Sequence, residues 1–233
     1  MHEVHESLLG LLRTDKRTDE HRMPAAVAPL TAVTDAQKQE LGVVVSAMRK
    51  LRESMTATHR TDHFAQRAYV FIAHATILTR HWESYQPALQ SLLRSIHPRS
   101  PLPETEIREM AGYVILDLAC RQGDLGEAYR VRHRYNVRDR RIERVLKALA
   151  HDDWVLFWRT RRKVDGYGRA LMAWADDKMR VLALKCLGRA YLSADKGYVE
   201  RCTERTWEQL VQEGVGWELD ERGLITIRRI KPK

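Results

Sequence analysis

The residues of this chain whose types and spacing could do chemistry are its arginines and lysines. Arg140, Arg144 and Lys147 recur at i, i+4 and i+7, which sets three cations along one face of a helix. Ile142, Val145, Leu146 and Leu149 fall on the other face. Arg130, Arg134 and Arg138 extend the run upstream, Arg141 lies within it, and Arg159, Arg161, Arg162 and Lys163 close it downstream. Residues 130–163 hold 12 Lys or Arg against 4 Asp or Glu, a balance of +8, while residues 1–129 balance at −1 and residues 164–233 at +2. The whole-chain charge of +9 is therefore concentrated in one stretch. Such a block suits an acidic protein surface or a polyanion such as RNA. Arginine in the last turn of a helix also favours the helix dipole, a purely structural use for the cluster at 159–163.

Nothing else in the sequence assembles a catalytic constellation. The paired acids Asp152-Asp153 and Asp176-Asp177 sit at expected helix starts, where a carboxylate caps exposed amides. The ten histidines give no HExxH and no metal-ligand spacing, and His74 and His81 read as packing or solvent-facing residues. Gly166-Tyr167-Gly168 lacks the strand and third glycine of a phosphate loop and reads as an interhelix turn. No Ser or Cys has an activating neighbour. A non-enzyme follows, with no cofactor, metal or small-molecule substrate implied.

The 233 residues suffice for one sizeable core or two small ones. No stretch approaches 18 uninterrupted apolar residues, so no membrane span is expected. Glu3, Glu6, Asp15, Asp19 and Glu20 argue against a secretory or mitochondrial leader. Cys120, Cys186 and Cys202 are widely spaced and read as buried free thiols of a reducing compartment, cytoplasm or nucleus.

The elements that position the basic block are helical. Residues 1–33, with Pro24 and Pro29, read as a flexible N-terminal arm. Thr34 with Gln37 has capping-box spacing and opens a helix to about residue 58, with Val44, Met48, Leu51 and Met55 on one stripe. Asp62 starts the next, with Phe64, Ala68, Phe71, Ile72 and Ala75 inward. Tyr85, Leu89, Leu92 and Leu93 mark a third over 82–96, ended by the proline-rich run 98–103. Ile107, Met110, Ala111, Val114 and Leu118 mark a fourth over 104–122, and Gly123-Asp124 turns into Leu125, Ala128 and Tyr129. Trp154, Phe157 and Trp158 could serve as a stacking platform for single-stranded nucleic acid. At helical spacing they read as core. Irregular helix pairs over 34–163 read as a solenoid-like helical repeat.

The last third, residues 164–233, carries a different pattern. Val181 to Leu192 is apolar nearly all round, the mark of a helix buried on most sides. Thr203 is the expected N-cap of a helix with Trp207, Leu210 and Val211 on one face, stopped by Gly214 and Gly216. Trp217-Glu218-Leu219 and Leu224-Ile225-Thr226-Ile227 flank a turn at 220–223 and read as a β-hairpin. Helices followed by such a hairpin give a winged helix, in a mostly α chain. Either Leu224–Ile227 merely closes a small sheet, or its outer edge stays open to a neighbouring subunit's strand. Arg228, Arg229, Lys231 and Pro232 would then blunt that edge. Trp217, Leu224, Ile225 and Ile227 are the candidate protein-interface residues.

A helical repeat running without a linker into a winged helix resembles the PCI family. The nearest branch is the small subunits shared by the proteasome lid, the signalosome that removes Nedd8, and translation initiation factor three. The resembling residues are Phe157-Trp158 ahead of a Gly-containing loop, the helix from Met179-Arg180-Val181 to Tyr191, and Gly216 through Ile227 with Lys231-Pro232-Lys233. The last stretch is similar to the wing of the smallest PCI subunit of initiation factor three. The likeness covers residues 104–233. It implies a non-catalytic scaffold whose winged helix packs edge to edge with other PCI subunits in a multiprotein complex, some members also contacting RNA. The arginine block is not a general mark of that branch. A nucleic-acid-binding module, gripping RNA or DNA with the basic helices and the wing together, is the alternative.

Overall fold

A computed structural model describes residues 35–228. The arm expected over residues 1–33, the Thr34–Gln37 capping box, and Arg229, Lys231 and Pro232 lie outside the described residues. The chain is mostly helical, with a small three-strand antiparallel sheet near its C-terminus. The helices are α1 (Asp35–Ala57), α2 (His63–Leu78), α3 (Trp82–Ser91), α4 (Glu104–Asp117), α5 (Leu125–Arg134), α6 (Arg140–Ala150), α7 (Trp154–Arg161), α8 (Gly166–Met172) and α9 (Asp176–Ala190). Both α3 and α4 run on through one π-helical turn, Leu92–Ile96 and Leu118–Gln122. Five of these helices start on an aspartate whose carboxylate accepts a first-turn amide: Asp62, Asp124, Asp139, Asp153 and Asp165. That capping satisfies donors the helix cannot pair internally.

The first and larger core gathers α1 to α8 and the start of α9. It includes Met48, Tyr69, Ile72, Tyr85, Leu92, Met110, Ile115, Leu146, Phe157, Leu171 and Met179. Of the residues expected inward on α2, Ile72 and Ala75 are buried and Ala68 is half-buried against the core, but Phe64 and Phe71 are exposed. Ala65, Tyr69, Ala73 and Ile77 complete the buried face. Two apolar stripes compete on this helix, and the one with alanines lets α3 approach closely. Arg60 covers Phe64 with its guanidinium carbon 4.5 Å from the ring centre. On α1, Met48 and Met55 are buried but Leu51 is exposed. Gly166-Tyr167-Gly168 is not an interhelix turn but the first turn of α8. A Cβ at Gly168 would lie 2.9 Å from the Asp165 carboxylate that caps the helix, so the residue must be small.

The second core lies beyond the middle of α9, and its elements follow in the order β1 (Ser193–Asp195), α10 (Lys196–Thr203), α11 (Trp207–Gln212), β2 (Glu218–Leu219) and β3 (Leu224–Thr226). Leu187, Ala194, Val199, Cys202, Trp207, Leu210 and Ile225 fill it. Four expectations change here. Helix α9 stops at Ala190, and Val181, Cys186, Tyr191 and Leu192 are exposed, so it is not buried on most sides. Met179, Arg180, Ala183 and Leu187 are buried, with Leu182 and Leu184 half-buried against the two cores, because this helix joins two cores end to end instead of crossing one. The N-cap of α11 is Thr206, in a reciprocal capping box with Gln209, while Thr203 ends α10. Val211 is exposed, unlike Trp207 and Leu210. Finally, β3 is the central strand and pairs antiparallel with both β1 and β2, so Leu224–Ile227 has no open edge.

The junction between the cores is held at the C-terminal end of α10. Trp158, 2% exposed, donates its indole N–H to Cys202 O at 3.1 Å. Arg180, 5% exposed, donates Nε to Thr203 O at 3.3 Å and pairs with Asp177 at 2.6 Å. Both groups satisfy carbonyls that a helix end leaves unpaired. Trp154 packs against both cores.

Replacing Trp158 with Phe keeps an apolar ring but removes the donor to a buried carbonyl. The unfolding free energy should fall by about 1–3 kcal/mol in urea denaturation. An unchanged midpoint would mean that the junction does not depend on this bond.

Candidate functional site

The basic surface is built on α5, α6 and α7. Asp139 caps α6 through the Arg141 amide at 2.7 Å. With Ile142, Val145, Leu146 and Leu149 buried, α6 turns Arg140, Arg144 and Lys147 to solvent, as their spacing required. None of these three has an ion-pair partner among the described residues. Arg134, Arg159 and Lys163 are likewise exposed and without a carboxylate partner there. Other members are spoken for. Arg130 pairs with Glu127 at 2.8 Å, Arg162 with Glu204 at 2.7 Å, and Arg161 with Asp176 at 2.8 Å. Arg141 lies 3.6 Å from Asp139 and donates to Lys163 O at 3.4 Å, which brings the start of α6 beside the end of α7. Arg138 donates to Asn136 Oδ1 at 2.9 Å. Long charge-balancing contacts such as Arg162–Glu204 divide the block into structural and free cations, a division the one-dimensional charge count cannot make.

The aromatic stripe beside these cations is core. Phe157 and Trp158 are buried and Trp154 is half-buried, so they offer no stacking platform. Tyr129, expected on the packing face of α5, is instead exposed.

Of the candidate interface residues, Ile225 is fully buried in the second core and cannot anchor a partner without unfolding. Ile227 is half-buried, donating its amide to Leu192 O at 2.9 Å. Trp217 is half-buried and lies over α9 at Gly188. Leu224 is exposed, and so is Leu219 on the outer strand β2. Glu208 on α11 and Glu213 at its C-cap are exposed acids, and each is paired with a cation. Glu208 pairs with Lys196 at 3.0 Å, and Glu213 with Arg205 at 3.0 Å. The amide of Glu208 itself, Lys196 and the Thr206 hydroxyl hold the Glu208 carboxyl down at about 2.

Two buried polar clusters knit the helical core. Asp117 accepts from Tyr85 at 2.6 Å, from Arg121 at 2.6 and 2.7 Å, and from Gln122 at 2.8 Å. Arg121 also stands over the Trp82 ring. Burial, then Asp117, pushes the Tyr85 phenol up, so it stays a donor. In the second cluster His74 stacks on Tyr167 at 4.4 Å, and Tyr113 donates to Glu109 at 2.8 Å. Burial, then Asp165 and Glu109, pushes the Tyr113 phenol up. Burial does the same to the Cys120 thiol, leaving it a poor nucleophile. Among the described residues no group of three or more His, Cys, Asp or Glu could hold a metal ion, and no helix is long and apolar enough to cross a membrane.

Two hollows remain. The larger, about 620 Å³, lies between α1 and the start of α3, where Arg49 pairs with Glu53, His81 lies 3.7 Å from Glu83 and Arg52 donates to Ser84 O. The other, about 380 Å³, lies at the end of α5 and is lined by Tyr129, Arg132, His133, Asn136, Val137 and Arg138.

No protein-family model matches the chain, and no curated protein matches it in sequence.

Two outcomes are expected. Changing Arg140, Arg144 and Lys147 together to Glu should leave the circular dichroism spectrum and thermal midpoint unchanged, because all three project away from the core stripe. Loss of folding would refute that face assignment. Glu208→Gln should remove a pH-dependent contribution. The wild-type carboxyl, titrating near 2 against an ordinary 4.5, stabilises above about pH 4.5 and loses that advantage as pH falls through 2. Denaturation of both proteins across that window reads the difference, which must converge at the acid end.

Proposed function

We propose that this chain is a non-catalytic PCI-type scaffold subunit. Its residues from α9 to β3 act as a winged helix that docks on neighbouring subunits in the cytoplasm or nucleus. The helices before them act as an irregular repeat carrying a basic surface for an acidic protein or RNA. The observation that carries this reading is the order α9, β1, α10, α11, β2, β3, with β3 central, held without a spacer on the helical stack. Trp158 on α7 grips the end of α10, so the two units are oriented relative to each other. A fixed orientation is what a subunit needs if one end is to place the other in an assembly.

The charge of α11 favours protein over nucleic acid as the partner of the winged helix. In a winged helix that reads DNA, the helix in this place enters a groove, and phosphates demand cations there. Here Glu208 stands on it and Glu213 at its C-cap, and their cation partners lie outside it. Strand β2, short and outermost, offers the backbone edge that β3 does not, with Leu219 and Leu224 exposed beside it. A second reading, in which the basic surface binds RNA, is favoured by Arg140, Arg144 and Lys147. They stand exposed with no protein counter-charge among the described residues.

The test is capture of partners from the native cell after nuclease treatment. Other PCI-type subunits should be recovered, and retained at about 1 M salt, where the screening length is roughly 3 Å and surface charge contacts fail. The double change Leu219→Lys with Leu224→Lys should weaken capture about 30-fold, the loss of one anchor worth about 2 kcal/mol. Recovery of no such subunit, or capture untouched by that change, would overturn the reading.

A further inference from the structure

The α5–α6 corner combines features that neither the charge count nor the fold alone makes a site. After α5 the chain turns through Asn136, whose φ of 47° is in the left-handed region, before Asp139 starts α6. This turn walls an open surface hollow of about 380 Å³. Val137, 4% exposed, is its apolar member. Arg132, His133, Arg138 and Tyr129, which is 41% exposed, also line it. Arg138 is held through Nε by the uncharged amide of Asn136, so it is oriented without being neutralised. Arg132 is fixed by Val137 O at 3.4 Å and by Glu143 at 3.2 Å.

The Arg132–Glu143 contact decides what adjoins the cavity. Glu143 shares the exposed ridge of α6 with Arg140, Arg144 and Lys147, so the pair ties Arg132 of the hollow to a ridge with three cations that have no carboxylate partner among the described residues. From Arg140 to Lys147 the ridge runs about 10 Å at 1.5 Å per residue. An exposed aromatic ring, two arginines around one hollow and a continuing cationic track are what an unpaired nucleotide and its backbone require. A phosphorylated side chain needs the arginines but neither the ring nor the track. A duplex keeps its bases stacked away from the ring.

We propose that this cavity seats one unpaired nucleotide of a single-stranded nucleic acid. Its base lies against Tyr129, its phosphate lies between Arg132 and Arg138, and the strand continues along Arg140, Arg144 and Lys147. The proposal rests on the reading of the α6 ridge as a polyanion surface and is independent of docking through the winged helix.

The experiment is fluorescence anisotropy of the full chain with a labelled oligouridylate of about eight nucleotides, within the usual range of single-strand site sizes. Tyr129→Ala should weaken binding about 5- to 150-fold, the equivalent of 1–3 kcal/mol per stacked base, with the salt slope unchanged. Tyr129→Phe should retain wild-type affinity. Arg138→Ala should weaken binding and lower the slope of log K against log salt by about 0.7, one phosphate contact to a single strand. Thermal midpoints control for folding. Wild-type affinity in Tyr129→Ala, equal affinity for the duplex, or a phosphoserine peptide bound as tightly as the oligonucleotide would overturn the proposal. If Tyr129→Ala has no effect while Arg140, Arg144 and Lys147 changed to Glu abolish binding, the ridge reading stands and the cavity proposal falls. If the wild-type chain binds no oligonucleotide, both fall. Oligothymidylate bound as tightly as oligouridylate assigns recognition to base and phosphate. Weaker binding of oligothymidylate adds the ribose 2′-hydroxyl.

Discussion

The end of one short helix is the constraint on which the architecture depends. Helix α10 finishes inside the molecule, at Cys202 and Thr203, and a buried helix end leaves carbonyls that water cannot reach. Those carbonyls take their donors from outside their own helix. The indole of Trp158 comes from α7, and the guanidinium of Arg180 comes from the first turns of α9. Arg180 is itself buried, so it needs counter-charge, and Asp177 at 2.6 Å and Glu213 at 3.8 Å supply it. Just beyond, Glu204, at a φ of 52°, turns the chain away and meets Arg162. Directional bonds to fixed acceptors tolerate less sliding than apolar contact alone, so the helical stack and the small sheet hold one orientation.

That constraint explains why α9 looked like a buried helix in sequence and is not one. It must supply Met179 to the first core and Leu187 to the second, with Arg180 and Ala183 between them. Val181 and Cys186 are then free to face outward. Composition reports how apolar a helix is but not how many bodies it touches. The same limit applies to α2, where alanine, not phenylalanine, marks the inward side. Close approach of α3 is won by small side chains that a hydrophobicity pattern undervalues.

What was legible in the sequence was periodic or chemically obligatory. Helix α4 follows from Ile107, Met110 and Ala111, and α6 follows from the strict separation of Ile142, Val145 and Leu149 from Arg140, Arg144 and Lys147. The aspartate at 62 and the turn at Gly123-Asp124 declared themselves through capping and a left-handed φ. Strand β1 did not, because Ser193-Ala194-Asp195 has no strand-favouring residue. It is a strand only because Ala194 stands opposite Ile225 in the register set by β3. That single pairing moves the open edge of the hairpin from Leu224–Ile227 to β2 and takes Ile225 out of reach.

The basic block was legible as charge and illegible as a surface, and the reason is the range of electrostatic pairing. Arg130 meets Glu127 within one helix, which spacing reveals. Arg162 finds Glu204 at a distance of 42 residues along the chain, which it does not. Once these pairs are removed, the cations without a carboxylate partner are not the whole block but chiefly the outer ridge of α6 and its neighbours. The residues that give that ridge an adjoining hollow, Tyr129 and Arg132 above all, carry no signal of their own. Tyr129 falls where a packing residue is expected, and Arg132 falls among other arginines. Their positions matter because the chain turns at Asn136 and because Glu143 holds Arg132 against α6. A carboxylate in the middle of a cationic ridge, which lowers the charge count, is thus the contact that ties the ridge to the hollow beside it.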